Sequence, residues 1–397
     1  MAYDLDASIT LRAQEFFRTV IGQHLRRSEQ RESFATYAFG ILGEGERKSV
    51  EPIAARAFSD PEDVQRCHDR LLYFVGKSPW SDREVRRAAA RYAVEAMQEQ
   101  DPVTVWIIDD TGFLKQGKHS VGVQRQYTGS AGKITNCQIG VSLCVASRKE
   151  QVPIDFELYL PRGWIEDEAL KKEARIPADR VFETKPELAL DMIARAKEDG
   201  IPGEIVLADS AYGDSSGFRA ALRDHGLDYA VAIKSPTCVW LLDANGNTER
   251  SVSVQVLGAE LGKAAFRRIT WRTGTKGKLS SRFCFRRVKP VQGDGDPEEK
   301  EPLWLVMEWP EGEANPTKFF LTTLPRRMTK KQIIRIIKER WRTEIVYQEL
   351  KEELGLDHFE GRSFPGWHHH ISVVLCCYAF VVVERMQRFP PSARRQA

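Results

Sequence analysis

The sequence predicts an α/β protein: a mixed sheet flanked by helices, with a helical domain before it and a β-rich insertion ahead of the last helices. Three observations carry this. Apolar residues recur at three- and four-residue spacing up to about residue 98. After Asp101-Pro102 the pattern changes to β-branched runs of strand length, first adjacent and then alternating with helices. From 236 to 317 short strand-like runs and turns interrupt that alternation.

In chain order, "LRAQEFFRTVIGQHL", "ESFATYAFGILG", "SVEPIAARAF" and "DVQRCHDRLLYFVG" read as amphipathic helices. Ser81 is a natural N-cap for the long helix that follows it, because its hydroxyl can accept a bond from an early helical N–H. This helical stretch, 1–98, reads either as a helix-turn-helix DNA-binding domain or as a purely structural helical one. "VTVWIID", "KITNCQIGVSLCVAS" and "VPIDFELYLP" read as three strands joined by the turns "GSAGK" and "SRKEQ". The helix "KPELALDMIARAKEDG" closes on Gly200, the strand "EIVLAD" follows, and then come the helix "SGFRAALRDHG" and the strand "DYAVAIK". Residues 99–235 thus form the first part of a core, 236–317 an insertion, and 318–388 its second part. The second part opens on the strand "KFFLTTLP" and continues as one long helix and a final apolar helix. Residues 389–397 are expected to be a disordered tail.

Composition is that of an ordinary soluble chain: 397 residues, 42% hydrophobic and 29% charged. The apolar run "ISVVLCCYAFVVVERM" is short enough for a buried helix, so no membrane partner is expected. With no basic-then-apolar leader in "MAYDLDASITLRAQEFF", the expected location is the cytoplasm. Seven scattered cysteines with no CxxC spacing argue against disulfides and structural zinc. Net charge is only +3, yet residues 263–289 hold ten Lys or Arg and no acid, and residues 326–342 hold eight against one Glu. Such local fields favour a polyanion, usually nucleic acid.

The acids that could do chemistry sit at strand ends. "VTVWIIDD" delivers Asp109 and Asp110, and "EIVLAD" delivers Asp209. Carboxyl ends of parallel strands are where α/β folds place ligand sites, although a lone strand-end Asp also serves as a helix cap. On a helical wheel through "RWRTEIVYQELK", Arg340, Glu344, Tyr347 and Lys351 fall within an arc of about 60°. Glu344 is the one acid on that stripe, between two cations. Three carboxylates from two strands and a helix suit a pair of hard divalent ions acting on a phosphodiester. Arg340 and Lys351 suit its non-bridging oxygens.

Together these residues resemble the DDE transposases of bacterial insertion sequences, in the branch with a Tyr-x2-Arg-x3-Glu-x6-Lys helix. Arg340, Glu344 and Lys351 keep the spacing, while Ile337 stands at the Tyr position. Asp110-Thr111 matches the first motif and Asp209 the second. The segments "DDTGFLKQGKHSVGVQRQYTGSAGKITNCQIGVSL" and "LGLDHFEGRSFPGWHHH" look like those of one subgroup. The resemblance implies an RNase H-like catalytic core with Asp110, Asp209 and Glu344 as catalytic metal ligands. It implies two Mg²⁺ per site, replaceable by Mn²⁺, and cut-and-paste transposition. The partners it implies are the double-stranded DNA of terminal inverted repeats and target, held by a homodimer. Some relatives form a DNA hairpin with help from a Trp before the last insertion strand; here Phe319 and Phe320 stand in that neighbourhood.

Other residues read as follows. Arg125 and Lys133, with Lys115, are expected to touch DNA phosphates, and Tyr347 either to do so or to pack. His368, His369 and His370 cannot converge on one ion, because adjacent helical side chains diverge by roughly 100°. "GDGDPEE" fails the calcium-loop pattern at Pro297.

Overall fold

A computed structural model describes residues 7–274, 277–291 and 301–388. The "GDGDPEE" loop and the tail 389–397 lie outside these. In chain order the helices α1 (Ala7–Phe16), α2 (Ser28–Leu42), α3 (Val50–Ala57), α4 (Pro61–Gly76) and α5 (Asp82–Gln100) precede β1 (Val105–Leu114). Then come β2 (Gln124–Thr128), β3 (Lys133–Ala146), β4 (Gln151–Tyr159), α6 (Arg162–Glu166), α7 (Glu168–Glu173) and α8 (Lys185–Glu198). Next are β5 (Ile205–Ala208), α9 (Ser210–Gly213), α10 (Ser216–Asp224) and β6 (Asp228–Ile233). The insertion holds β7 (Cys238–Leu242), β8 (Thr248–Ser253), α11 (Val254–Leu261), β9 (Arg267–Gly274), β10 (Gly277–Pro290) and β11 (Leu303–Trp309). The chain closes with β12 (Lys318–Thr322), α12 (Lys330–Lys338), α13 (Arg342–Glu352) and α14 (Phe364–Arg388).

Packing groups the chain into two units. The first holds 1–104, 109–202 and 342–397; the second holds 105–108 and 203–341. The N-terminal helices fall in the first of these units. α5 lies along α14, which also packs on α2, α4 and β4. Amphipathic helices must bury their stripe somewhere, and here the last helix supplies the surface. α14 is long and apolar enough to cross a membrane, yet its apolar window is wholly buried within the protein. In the first unit β2 and β4 flank β3 antiparallel, with registers such as Tyr127↔Ile134 and Gly140↔Leu158.

In the second unit β1 and β6 flank β5 in parallel, with Ile108↔Ala208 and Ala208↔Val231 in register. β12 then joins β6 antiparallel, and β11, β10, β7 and β8 continue outward in that order. The mixed sheet flanked by helices is thus present. The insertion is β-rich as expected, with one helix, α11, set among its strands. Among the described residues β9 pairs only with β10, through a register shift at Leu279/Ser280, and forms an edge hairpin.

Candidate active site

β1 and β5 are in register up to Ile108 and Ala208, and each then delivers an acid. Asp109 is buried, and its Oδ1 accepts the Asp110 backbone N–H at 2.9 Å. Asp110 is half-buried and faces Lys185, whose Nζ donates to its Oδ2 at 3.0 Å. Lys185 is the first residue of α8, and a reciprocal cap between Thr184 and Glu187 fixes that helix start. Asp209 caps α9, its Oδ1 accepting from the Ala211 N–H at 2.8 Å. The cap and the ligand reading of a strand-end Asp are compatible, because a carboxylate has lone pairs to spare.

The helix after β12 departs from expectation. It is not continuous: α12 ends at Lys338, Glu339–Trp341 form a 3₁₀ turn, and α13 starts at Arg342. A 3₁₀ turn advances about 120° per residue and not 100°, so the wheel that aligned Arg340 with Glu344 does not hold across it. Arg340 belongs to the second unit, and Glu344, Tyr347 and Lys351 to the first. Glu344 is exposed and not turned inward. Tyr347 is buried, its hydroxyl 2.6 Å from that of Ser142. Burial, with the nearby Asp109 charge, pushes this phenol well above its ordinary pKa. It packs the helix against β3, which replaces its reading as a DNA ligand. Ile337, at the family's Tyr position, is buried on α12.

Lys351 turns toward the Asp110 strand. Its Nζ donates to the Gly112 carbonyl at 2.7 Å and to Ser130 Oγ at 3.2 Å. Ser130 Oγ also accepts from the Gly112 N–H at 3.2 Å, pinning the β2–β3 turn to β1. Burial lowers the Lys351 pKa. Arg125 and Lys133 are exposed on the same hairpin, whereas Lys115 is engaged with the Phe359 carbonyl at 2.7 Å. Sequence reasoning missed Lys185 and Ser130, which no local pattern singles out. The three histidines diverge as expected: His369 meets the Val75 and Trp80 carbonyls, His370 the Tyr37 hydroxyl and Gly355 carbonyl, and His368 the Phe364 carbonyl.

Residues 21–278 match the family model of the DDE superfamily endonucleases, well over half of the chain. The chain belongs to the DDE superfamily. A transposase DDE domain matches residues 183–380 of this DDE chain as well. It is 31% identical over 212 residues to a probable transposase for insertion sequence element IS701 from Microchaete diplosiphon. That match takes in 53% of this chain and 51% of the relative, so the chain spans about half the length of the curated protein it matches. Among solved structures, a piggyBac transposase synaptic complex with hairpin DNA aligns at TM-score 0.40 and 13% identity, covering 97% of this chain and 83% of that one.

The DDE chain's acids offer hard oxygen donors, the type Mg²⁺ takes. Among the described residues no three His, Cys, Asp or Glu side chains stand together as a ready metal cage. At this strand end the cation beside the Asp110 carboxylate is the Lys185 ammonium, 3.0 Å away.

Proposed function

We propose that the chain is an insertion-sequence transposase. It binds terminal inverted repeats as a homodimer, cleaves the element's ends and joins their 3′-hydroxyls to target DNA. The observation that carries this reading is the half-buried Asp110 at the end of β1, in a chain of the DDE family, with Asp209 following the neighbouring parallel strand. Asp110, Asp209 and Glu344 would hold the metal. A pair of Mg²⁺ ions, or Mn²⁺, when bound with DNA, makes water a better nucleophile and stabilises the leaving oxygen. Lys351, tied to Gly112, fixes the β1 backbone two residues past Asp110 and brings positive charge to a scissile phosphate. Lys185 neutralises Asp110 until substrate arrives. Arg125, Lys133 and Arg340 supply phosphate contacts, and the N-terminal helices add DNA-binding surface.

The test is incubation of the protein with labelled element ends, target DNA and Mg²⁺, followed by sizing of the products. Cleaved ends and joined molecules are expected. Glu344→Gln should bind ends but leave them uncut, and full cleavage by that variant would sink the site assignment. Cleavage without joining would make the chain a nuclease, and binding without cleavage a DNA-binding protein only.

A further inference from the structure

The two basic runs of the sequence meet on one face of the second unit. α12 lies on the β9–β10 hairpin: the Arg335 guanidinium donates to the Trp271 carbonyl at 3.1 Å. The Lys338 ammonium stands 4.9 Å from the Trp271 ring centre and 5.7 Å from that of Phe283. Arg267 is directly opposite Phe283, and Arg272 directly opposite Leu279. By the two-residue period of β10, both arginines therefore share the α12 side of the hairpin. Arg272 stacks 4.1 Å from the Trp341 ring centre, which fixes its planar group. Lys331 precedes Arg335 by one helical turn. Arg267, Arg272, Lys331 and Arg335 are all exposed. Glu308, the acid paired across from Phe283, is taken up by Lys338 and does not offset them.

We infer that this face, Arg267, Arg272, Lys331 and Arg335, is a docking surface for the phosphate backbone of duplex DNA, separate from the candidate carboxylates. The inference rests on the reading of the chain as a DNA-acting enzyme and adds a second, sequence-independent foothold to it. Charge complementarity selects the occupant. Several like charges held about a helix and an edge hairpin repel one another in the free protein, and a regular row of phosphates removes that repulsion while releasing condensed counterions. Trp271 and Trp341 each carry a cation over their ring, Lys338 and Arg272 respectively. Backbone contact without sequence preference is what the geometry provides.

The experiment is fluorescence anisotropy with a labelled duplex of arbitrary sequence, without divalent metal, across a salt series. Each phosphate contact contributes about 0.9 to the slope of log affinity against log salt. The fourfold variant Arg267→Gln, Arg272→Gln, Lys331→Gln, Arg335→Gln is expected to lose roughly 3.6 units of slope. A control variant, Lys172→Gln with Lys197→Gln, removes two exposed charges of the first unit outside its N-terminal helices and should lose less than half a unit, taking about 0.9 as one contact. Lys331→Gln alone, an exposed change on the outer helix face, should lose about one unit and guards against misfolding of the fourfold variant. An unchanged slope in both patch variants overturns the inference. So does an equal loss per charge in the control, which would make the effect one of net charge. Patch-dependent binding in a protein that never cleaves would uphold this surface and defeat the transposase reading. Cleavage with an unchanged slope would do the reverse.

Discussion

At the scale of single residues, Gly112 matters most to the candidate site. A β-carbon placed there would stand 2.0 Å from Thr128 Oγ1 and 2.8 Å from its Cβ, and Thr128 is fully buried. The close approach lets the β2–β3 turn reach β1, where Ser130 and Lys351 both bond to Gly112. Gly112→Ala should therefore cost about 1–3 kcal/mol, read from urea unfolding, and it should lower DNA cleavage further by moving Lys351. The double variant Gly112→Ala/Thr128→Gly should recover part of the stability. Additive losses would show that the clash is not the cause. Sequence made Asp110 and Asp209 legible, because a strand ending on an acid is a local pattern. It could not show Lys185, Ser130 or the depth of Tyr347, since each depends on a partner 75 to 221 residues away.

Among the elements, most strands and helices were legible from periodicity, and the failures have physical causes. β2 was missed because "QRQYT" is polar on both faces, as an edge strand tolerates. The break between α12 and α13 was missed because "KERWRT" contains no Gly or Pro; the 3₁₀ turn there is a tertiary effect. The grouping of α5 with α14 was equally hidden, since it is fixed by a buried ion network. Arg86 on α5 is 4% exposed and reaches Asp82 at 2.6 Å, Asp155 on β4 at 3.1 Å and Ser372 on α14 at 3.0 Å. Burial alone would depress its pKa, but the flanking acids raise it, so the guanidinium stays charged. Arg86→Ala leaves the half-buried Asp82 and Asp155 facing a void and should destabilise the protein by about 3–5 kcal/mol. Differential scanning calorimetry would show this as a drop in Tm, and an unchanged Tm would remove the network's role in joining these elements.

For the whole molecule, the buried histidines of α14 couple stability to pH. His370 is fully buried, its rings of contact being the Tyr37 hydroxyl at 2.9 Å and the Gly355 carbonyl at 3.0 Å. Burial lowers its pKa to about 4, against an ordinary value of 6.5. The unfolded chain thus takes up a proton near pH 6.5 that the folded chain refuses until about pH 4. The stability linked to this histidine is complete above pH 6.5 and is lost as pH falls from there toward 4, on the order of 3 kcal/mol in all. His369, also depressed by burial, adds to the loss in the same direction. Glu157 acts at still lower pH. Burial would raise its carboxyl, but His368, Arg195 and Arg86 together hold it below the ordinary range, so its contribution falls away beneath about pH 4.5. Urea midpoints at pH 7.5, 5.5 and 4.5 should fall progressively in the native chain. In His370→Gln the midpoint at pH 7.5 should be lower, because packing and a hydrogen bond are lost, but the decline from 7.5 to 4.5 should be shallower. An equally steep decline in that variant would assign the acid sensitivity to other groups.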